Sequence, residues 1–185
     1  MKSFLSYDRS WAYPSVLLVS VCAVVLGVLA RLYRLGFPPS ILWDERYFPV
    51  MANKYLHGVY QFDLHPPLGK FIIAVGISTL GNEALGWRTM PTLFGLALLP
   101  LVAALGWYCL KDRLGVLLLV TFFSAETIFI VYSRIGVMDI FLVFFVLATF
   151  LVALRAEVSL SMSTGDASAR HGRQLRRPVG GHPNG

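Results

Sequence analysis

The chain has 185 residues, of which 56% are hydrophobic and 14% are charged, and its mean hydropathy is +0.65. A soluble domain is about a quarter charged, so this composition excludes an ordinary soluble domain and indicates an integral membrane protein. The formal net charge of +6 does not predict a nucleic-acid interface, because four of the sixteen basic residues crowd a short C-terminal stretch instead of forming a groove or stripe.

A polar start, residues 1–10, precedes the first apolar segment, Trp11 to Ala30, which is uncharged and rich in Val and Leu. About twenty apolar residues are needed to cross roughly 30 Å of hydrocarbon. A cleaved signal peptide is the alternative. Its apolar region is usually about 7–15 residues long, and no clear small-residue cleavage site precedes Arg31. The segment therefore predicts a retained transmembrane helix.

A long polar loop, Arg31 to Arg88, follows this segment. Apolar and basic residues at helical spacing predict a short helix over Asp44 to Leu56, with Pro49 in its first turn, where a missing N–H is tolerated. Phe71 to Leu80 is apolar but only about half a span long, which predicts an interfacial or re-entrant helix.

Three further apolar segments follow, and Glu126 interrupts the second of them. They are Thr89 to Leu110, Leu114 to Ser133 and Ile140 to Leu154. The sequence therefore predicts an all-α integral membrane fold of about four transmembrane helices, with a long outer loop that carries short amphipathic helices.

Four spans put both ends of the chain on one side of the membrane, with the 31–88 loop and the polar stretch 133–139 together on the other. We therefore expect six ionisable side chains to converge on one membrane face: Asp44, His65, Arg88, Glu126, Arg134 and Asp139. The positive-inside rule leaves the orientation open. The side of the membrane with more basic residues is the side of the chain ends when the C-terminal stretch is counted, and the side of the loops when it is left out.

The composition changes after Arg155 to Ser, Gly, Arg, Pro and Ala without an apolar period. We therefore divide the chain into a membrane region, 1–155, and a basic tail, 156–185, which is predicted to be disordered because it lacks the apolar content to fold. Such a chain is compatible with a complete protein and equally with a truncated or frame-shifted version of a longer one.

Carboxylates in or beside apolar segments are candidate functional groups, because a charge at a helix centre in the membrane costs about 2.5–3.5 kcal/mol on insertion scales. Glu126 and Asp139 either lie at helix ends, paired with Arg134, or line a polar cavity. Asp44 and Glu45 either begin a helix, whose dipole favours carboxylates, or supply a general base toward a hydroxyl.

His65 and the basic side chains are candidates for binding an anion. The Pro66 ring holds His65 extended, where the imidazole either binds phosphate or a metal or caps a turn. Lys70 and nearby arginines can neutralise a lipid phosphate. One histidine with scattered carboxylates has little of a metal site's spacing, so no cofactor is assigned and a divalent cation remains an open alternative. Cys22 and Cys109 lie in apolar runs and predict no disulfide framework.

The loop residues resemble the first non-cytoplasmic loop of the protein O-mannosyltransferase family, which are GT-C glycosyltransferases that use polyprenyl- or dolichyl-phosphate-mannose. The shared pattern is an acidic pair followed by a Tyr-x-x-Gly-x-Tyr-x-Phe-Asp-x-His-Pro-Pro-Leu-Gly-Lys run: Asp44, Glu45, Tyr55, Gly58, Tyr60, Phe62, Asp63, His65, Pro66, Pro67, Leu68, Gly69 and Lys70. Two further family elements are Trp87, Arg88, Pro91 and Ser133, Arg134, Asp139, with Glu126 where the family often has aspartate. The resemblance covers roughly residues 11–155, and residues 156–185 do not share it.

The resemblance implies that Asp44 is the catalytic base on an acceptor Ser or Thr hydroxyl, in an inverting single displacement with polyprenyl phosphate leaving. Glu45 would orient Asp44 or the acceptor. The resemblance also implies substrate-binding roles for six residues: His65, Lys70, Arg88, Glu126, Arg134 and Asp139. Among them, His65, Arg88 and Arg134 either bind the donor phosphate or fix the loop. Family enzymes continue through many more helices, so we interpret the chain as the N-terminal part of such an enzyme.

Two alternatives are kept: a related GT-C transferase that acts on another acceptor such as lipid A, and a non-catalytic membrane protein that binds a lipid-linked sugar. The expected partners are a polyprenyl- or dolichyl-phosphate-sugar donor, a protein acceptor and the bilayer. Small residues in Gly95 to Ala104 permit close packing in a dimer. We expect a bacterial plasma membrane in preference to the endoplasmic reticulum, with the long loop on the non-cytoplasmic side.

Overall fold

The computed structural model describes residues 12–59, 62 and 64–175, and within these ranges it describes side chains from residue 13 to residue 160. The predicted polar start, Tyr60, Asp63 and residues 176–185 lie outside this range. The described residues form only helices, turns and irregular segments, as predicted. The elements are α1 (Ala12–Leu32), a 3₁₀ turn (Trp43–Arg46), α2 (Phe48–Leu56), α3 (Leu68–Leu80), α4 (Ala84–Leu110), α5 (Arg113–Ala125), α6 (Thr127–Tyr132) and α7 (Asp139–Leu175).

Three stretches of the described chain are long and apolar enough to cross a membrane. They are Tyr13–Leu32, Ala84–Leu110 and Asp139–Leu160. The first, second and fourth predicted apolar segments are thus confirmed as helices. α4 begins before the predicted Thr89, because Glu83 in an extended conformation starts it at Ala84.

The third predicted segment is not one helix, because the chain breaks at Glu126. The Glu126 backbone is extended, and its carboxylate accepts a hydrogen bond from the Ile128 N–H at 3.1 Å, which caps α6. A carboxylate that satisfies a free N–H starts a new helix there, so the segment divides into α5 and α6. Together these two helices carry the chain from the Lys111 turn back toward the end of α1.

Side-chain contacts define the direction of each crossing. Ser20 of α1 accepts a hydrogen bond from Thr121 of α5 at 2.7 Å, and Arg31 donates to the Ser124 carbonyl at 3.4 Å, so α1 and α5 run parallel. Phe94 of α4 contacts Phe141 near the start of α7. Tyr108 near the end of α4 faces Arg155, so these two helices are parallel as well.

The 31–88 loop and the 133–139 stretch meet at one end of the bundle, which we call the loop end. The Gly136 N–H donates to the Glu45 carboxylate at 2.9 Å. Thr92 donates to the Ser133 carbonyl at 2.8 Å. The predicted grouping of the 31–88 loop with the 133–139 stretch is therefore confirmed.

The short helix α3 packs on α4 and α2 and carries much of the core. Ile73, Ala74 and Ile77 are buried on one face, against Ala84 and Trp87 of α4. Its thirteen residues extend about 20 Å, which is too short to span a bilayer. The prediction of a short apolar helix in the loop is thus confirmed, with its start at Leu68.

Two further predictions concern α4 and the tail. Gly95, in the stretch proposed for dimer packing, lies directly against the Ser133 side chain of the same chain, and the dimer stays a prediction. α7 continues past Arg155 to Leu175, whereas composition predicts a disordered tail from residue 156. Good helix formers such as Ala156 and Leu160 extend a helix that has already nucleated. The division at 155 itself stays a prediction.

Candidate active site

A buried ion pair between Glu45 and Arg88 lies at the centre of the loop end. Arg88 Nε donates to Glu45 Oε1 at 2.7 Å, and Arg88 Nη2 donates to Oε2 at 2.8 Å. The two side chains are 0% and 1% exposed. This bidentate geometry matches the planar guanidinium to the planar carboxylate, the strongest form of such a pair.

The remaining N–H groups of Arg88 hold the first part of the long loop. Nη1 donates to the carbonyls of Leu35 at 3.2 Å and Pro38 at 2.9 Å, and Nη2 donates to the Ser40 carbonyl at 3.2 Å. All five guanidinium N–H groups are thereby used within the chain. The geometry favours loop fixing over the alternative role for Arg88, contact with a donor phosphate.

Glu45 also joins the 31–88 loop to the 133–139 stretch. Its carboxylate accepts the Leu42 N–H and the Gly136 N–H, each at 2.9 Å. Residue 136 is glycine for a packing reason, since a Cβ there would lie 2.8 Å from Trp87 Cδ1 and 3.0 Å from Pro49 Cγ. We call Glu45, Arg88 and the Gly136 N–H the latch.

The latch sets the ionisation of Glu45. Burial alone raises the pKa of the Glu45 carboxyl, but the hydrogen bonds from Arg88, Gly136 and Leu42 and the positive charge of Arg88 outweigh burial, so this pKa lies below its ordinary value. Glu45 is therefore a carboxylate at neutral pH.

The lowered pKa of Glu45 predicts how stability depends on pH. Its contribution is fully present above the ordinary carboxyl pKa of about 4.5 and is lost as pH falls through that value toward the lower pKa of the folded state. We expect the melting temperature in detergent to fall as the pH is lowered below about 4.5. Glu45→Gln should flatten the drop and Asp44→Asn should not; an equal slope in all three proteins would contradict the assignment.

Asp44 lies on the opposite side of the 3₁₀ turn from its buried neighbour. Trp43 has a φ of 37°, a left-handed conformation that is costly for a tryptophan and is held by the Leu42–Glu45 hydrogen bond. Asp44 is exposed, and within the described part of the chain its carboxylate accepts no hydrogen bond. The turn therefore buries one carboxylate and presents the other.

Asp44 lines a pocket of about 460 Å³, hereafter the acid pocket. The other lining residues are mainly apolar and aromatic: Tyr47, Phe48, Met51, Phe62, Leu64 and His65. An accessible carboxylate among largely apolar walls is suited to taking a proton from a hydroxyl placed beside it.

A second pocket, of about 330 Å³, adjoins the first and is hereafter the α7 pocket. Its titratable lining residues are His65 and Asp139, and its walls are apolar: Phe48, Pro66, Leu68, Gly69, Met138, Phe141, Leu142 and Phe145. Phe48 and His65 belong to both pockets, and their rings meet edge to face with centroids 5.5 Å apart. These two rings form the wall between the pockets.

Lys70 is fully buried beneath the His-Pro-Pro turn. Its ammonium donates to the His65 carbonyl at 3.2 Å, five residues earlier in the chain. This contact helps to hold the His65 backbone in place, and the substrate-binding role of Lys70 stays a prediction.

Arg134 and Glu126 both lie at helix ends. Arg134 donates to the Ala30 carbonyl and, at 2.8 Å, to the Tyr33 carbonyl, where a cation complements the end of α1. It contacts neither Glu126 nor Asp139, so the pairing that we considered is absent among the described residues. Burial and the charge of Arg88 lower the pKa of Arg134.

Sequence reasoning missed two features of this end of the bundle. One is the Gly136 N–H, which a sequence does not distinguish from any other backbone donor. The other is Arg31, which is 0% exposed and donates to the carbonyls of Gly27 and Ser124. No described residue accepts a hydrogen bond from its Nε or Nη2. An arginine that ends an apolar segment is usually interpreted as reaching toward the headgroups. Among the described residues, no three His, Cys, Asp or Glu side chains are grouped to hold a metal.

The fold and the site define an all-helical integral membrane protein that presents a carboxylate at one end of its bundle. The family model of dolichyl-phosphate-mannose-protein mannosyltransferases matches residues 21–87 and 80–169. The chain therefore belongs to this family.

Individual relatives agree with the family assignment. The chain is 28% identical over 156 residues to a polyprenol-phosphate-mannose–protein mannosyltransferase of Mycolicibacterium smegmatis, a match that covers 79% of this chain and 29% of that protein. The corresponding protein of Mycobacterium tuberculosis is 30% identical over 77% of this chain and 28% of its own length. Dolichyl-phosphate-mannose–protein mannosyltransferase 1 of Saccharomyces cerevisiae is 38% identical over 35% of this chain and 8% of its own length. The chain thus spans less than a third of these relatives, and no solved structure matches it.

Proposed function

We propose that this chain forms the N-terminal part of a protein O-mannosyltransferase and provides its catalytic base. The observation that carries the proposal is the exposed Asp44 carboxylate, which lies in the acid pocket on a turn fixed by the buried latch. The relatives are named as mannosyltransferases that use polyprenol- or dolichyl-phosphate-mannose, which supports this donor and a protein acceptor.

In the proposed reaction, Asp44 accepts the proton of an acceptor Ser or Thr hydroxyl. The hydroxyl oxygen forms a bond to the anomeric carbon of mannose from the face opposite the phosphate. The bond from that carbon to the phosphate oxygen breaks, and its electron pair leaves with polyprenyl phosphate. The configuration at the sugar carbon is inverted, as one displacement requires.

The latch has a positioning role in this proposal. Glu45 does not reach the acid pocket, since its carboxylate is fully buried and hydrogen-bonded to Arg88 and two backbone N–H groups. It orients Asp44 by fixing the 3₁₀ turn in which both residues lie. A base that is held in place keeps the acceptor oxygen within reach of the sugar carbon.

The α7 pocket is the candidate place for the donor lipid. Its walls are aliphatic and aromatic, as an isoprenoid chain requires, and His65 at its edge also borders the acid pocket. His65 is thus placed to contact the donor phosphate while Asp44 faces the acceptor. Asp139 at the start of α7 lies at the same edge and is a candidate for a sugar hydroxyl.

We place the loop end on the non-cytoplasmic side of a bacterial plasma membrane. Support comes from the two mycobacterial relatives named above, which match 79% and 77% of the chain, whereas the yeast relative matches 35%. The side of the loop end follows from the resemblance of the loop to the non-cytoplasmic loop of the family.

A transfer assay tests the proposal. Membranes that contain the chain are given polyprenyl-phosphate-mannose labelled in the sugar, with a Ser/Thr peptide or with lipid A. We expect label in the peptide above the level of membranes without the chain. Label in lipid A alone would favour the related GT-C transferase.

A second candidate, a non-catalytic fragment that binds the donor, is favoured by the coverage of less than a third of the relatives. The same membranes distinguish it. Saturable retention of the labelled donor without transfer, by protein whose thermal unfolding is cooperative, would support donor binding and overturn catalysis by this chain alone.

A further inference from the structure

A third pocket lies at the end of the bundle opposite the candidate active site. It has a volume of about 370 Å³ and is formed where the α4–α5 turn meets the start of α1. Its lining combines two aromatic rings with three charged side chains: Tyr13, Trp107, Lys111, Asp112, Arg113 and Leu114. We call it the turn pocket.

The charge of the turn pocket is predominantly positive. The Lys111 ammonium lies 4.8 Å from the centre of the Tyr108 ring, and the Arg155 guanidinium lies 5.8 Å from the same ring. Arg113 is exposed, and no side chain in the described range pairs with it. The Asp112 carboxylate is partly satisfied, because it accepts the Gly115 N–H at 2.8 Å to cap α5. The pocket lining therefore carries two cations, Lys111 and Arg113, and one carboxylate that is already engaged in the cap of α5.

The depth of the turn pocket matches a membrane surface. Tyr13 begins one candidate span and Leu110 ends another, so the pocket lies where hydrocarbon gives way to headgroups. Tyrosine and tryptophan are enriched at this depth, and basic pockets between transmembrane helices bind anionic headgroups. The Tyr13 and Trp107 rings can face the glycerol and upper acyl carbons while Lys111 and Arg113 face the phosphate.

We propose that the turn pocket binds the headgroup of an anionic phospholipid in the leaflet opposite the candidate active site. This site is separate from the acid and α7 pockets and takes no part in sugar transfer. A bound lipid contacts both the start of α1 and the α4–α5 turn, and so connects α1 to α4 and α5.

Native mass spectrometry of the full chain in detergent tests this proposal, with phosphatidylglycerol and phosphatidylcholine added in equal amounts. We expect retention of phosphatidylglycerol to exceed that of phosphatidylcholine at least about fivefold. This is the ratio expected when one basic side chain attracts an anionic lipid surface. The double variant Lys111→Gln/Arg113→Gln should bring the ratio close to one. Equal retention of the two lipids by the wild type, or an unchanged ratio in the double variant, would overturn the proposal.

The matched control is Arg34→Gln, at the loop end. Arg34 is also an exposed arginine over an aromatic ring, 4.0 Å from the centre of Phe37. It should leave the lipid ratio unchanged, and an equal loss would show a general charge effect and refute the assigned site. Inorganic phosphate added at the lipid concentration should not displace phosphatidylglycerol; displacement would mean a site for free phosphate in place of a lipid site.

Discussion

Replacing Asp44 with asparagine is expected to lower mannose transfer by about 100- to 10,000-fold, which is the usual contribution of a general base. Asparagine has nearly the same shape but cannot accept the hydroxyl proton at neutral pH. The melting temperature should not change, because Asp44 is exposed and its carboxylate makes no hydrogen bond within the described residues. Initial rates of label transfer to the peptide and thermal unfolding in the same detergent measure the two effects.

The control for Asp44→Asn is Glu157→Gln, which removes an exposed carboxylate from α7 far from the acid pocket. It should leave both transfer and unfolding at wild-type values. Transfer retained by Asp44→Asn would remove Asp44 as the base. A large fall in its melting temperature would show that the residue is structural.

Replacing Arg88 with methionine is expected to destabilise the protein by about 3–5 kcal/mol, as does removal of one partner from other buried ion pairs. The variant leaves the Glu45 charge buried without its counter-ion. It also removes the donors to three loop carbonyls, those of Leu35, Pro38 and Ser40. The free energy of unfolding in mixed micelles measures the effect, with Arg46→Met, an exposed arginine of the same loop, as the matched control.

A double-mutant cycle separates the ion pair from the rest of the Arg88 contacts. Glu45→Gln combined with Arg88→Met should cost less than the sum of the single changes by about 2 kcal/mol, because the double variant buries no unpaired charge. Additive costs would show that the two side chains are not coupled. A small cost for Arg88→Met alone would show that the latch does not hold the loop.

The helices were predictable from the sequence where hydropathy alone decides the structure. α1, α4 and the start of α7 follow from uncharged runs of sufficient length, and the grouping of the two loops follows from counting crossings. The break at Glu126 was not predictable in the same way. A carboxylate within an apolar run is compatible with a buried pair, a cavity or a cap, and only the backbone conformation selects the cap.

The site was predictable in its residue types and less so in their roles. The sequence marks Asp44, Glu45 and Arg88 as ionisable groups at one membrane face. It does not show whether a guanidinium faces a ligand or the protein, because that depends on which carbonyls the folded loop brings to it. The pockets depend on packing between residues far apart in the chain, such as His65 and Phe141, which no local pattern encodes.

The latch also constrains biogenesis. Glu45 and Arg88 are 43 residues apart, and Glu45 and Gly136 are 91 apart. A nascent chain that inserts from its N-terminus therefore forms the ion pair first, and Glu45 lacks its last donor until the ribosome has passed residue 136. Until then the turn that carries Asp44 is only partly fixed. The orientation of the proposed base is thus completed only after the helices that precede residue 136 have been synthesised.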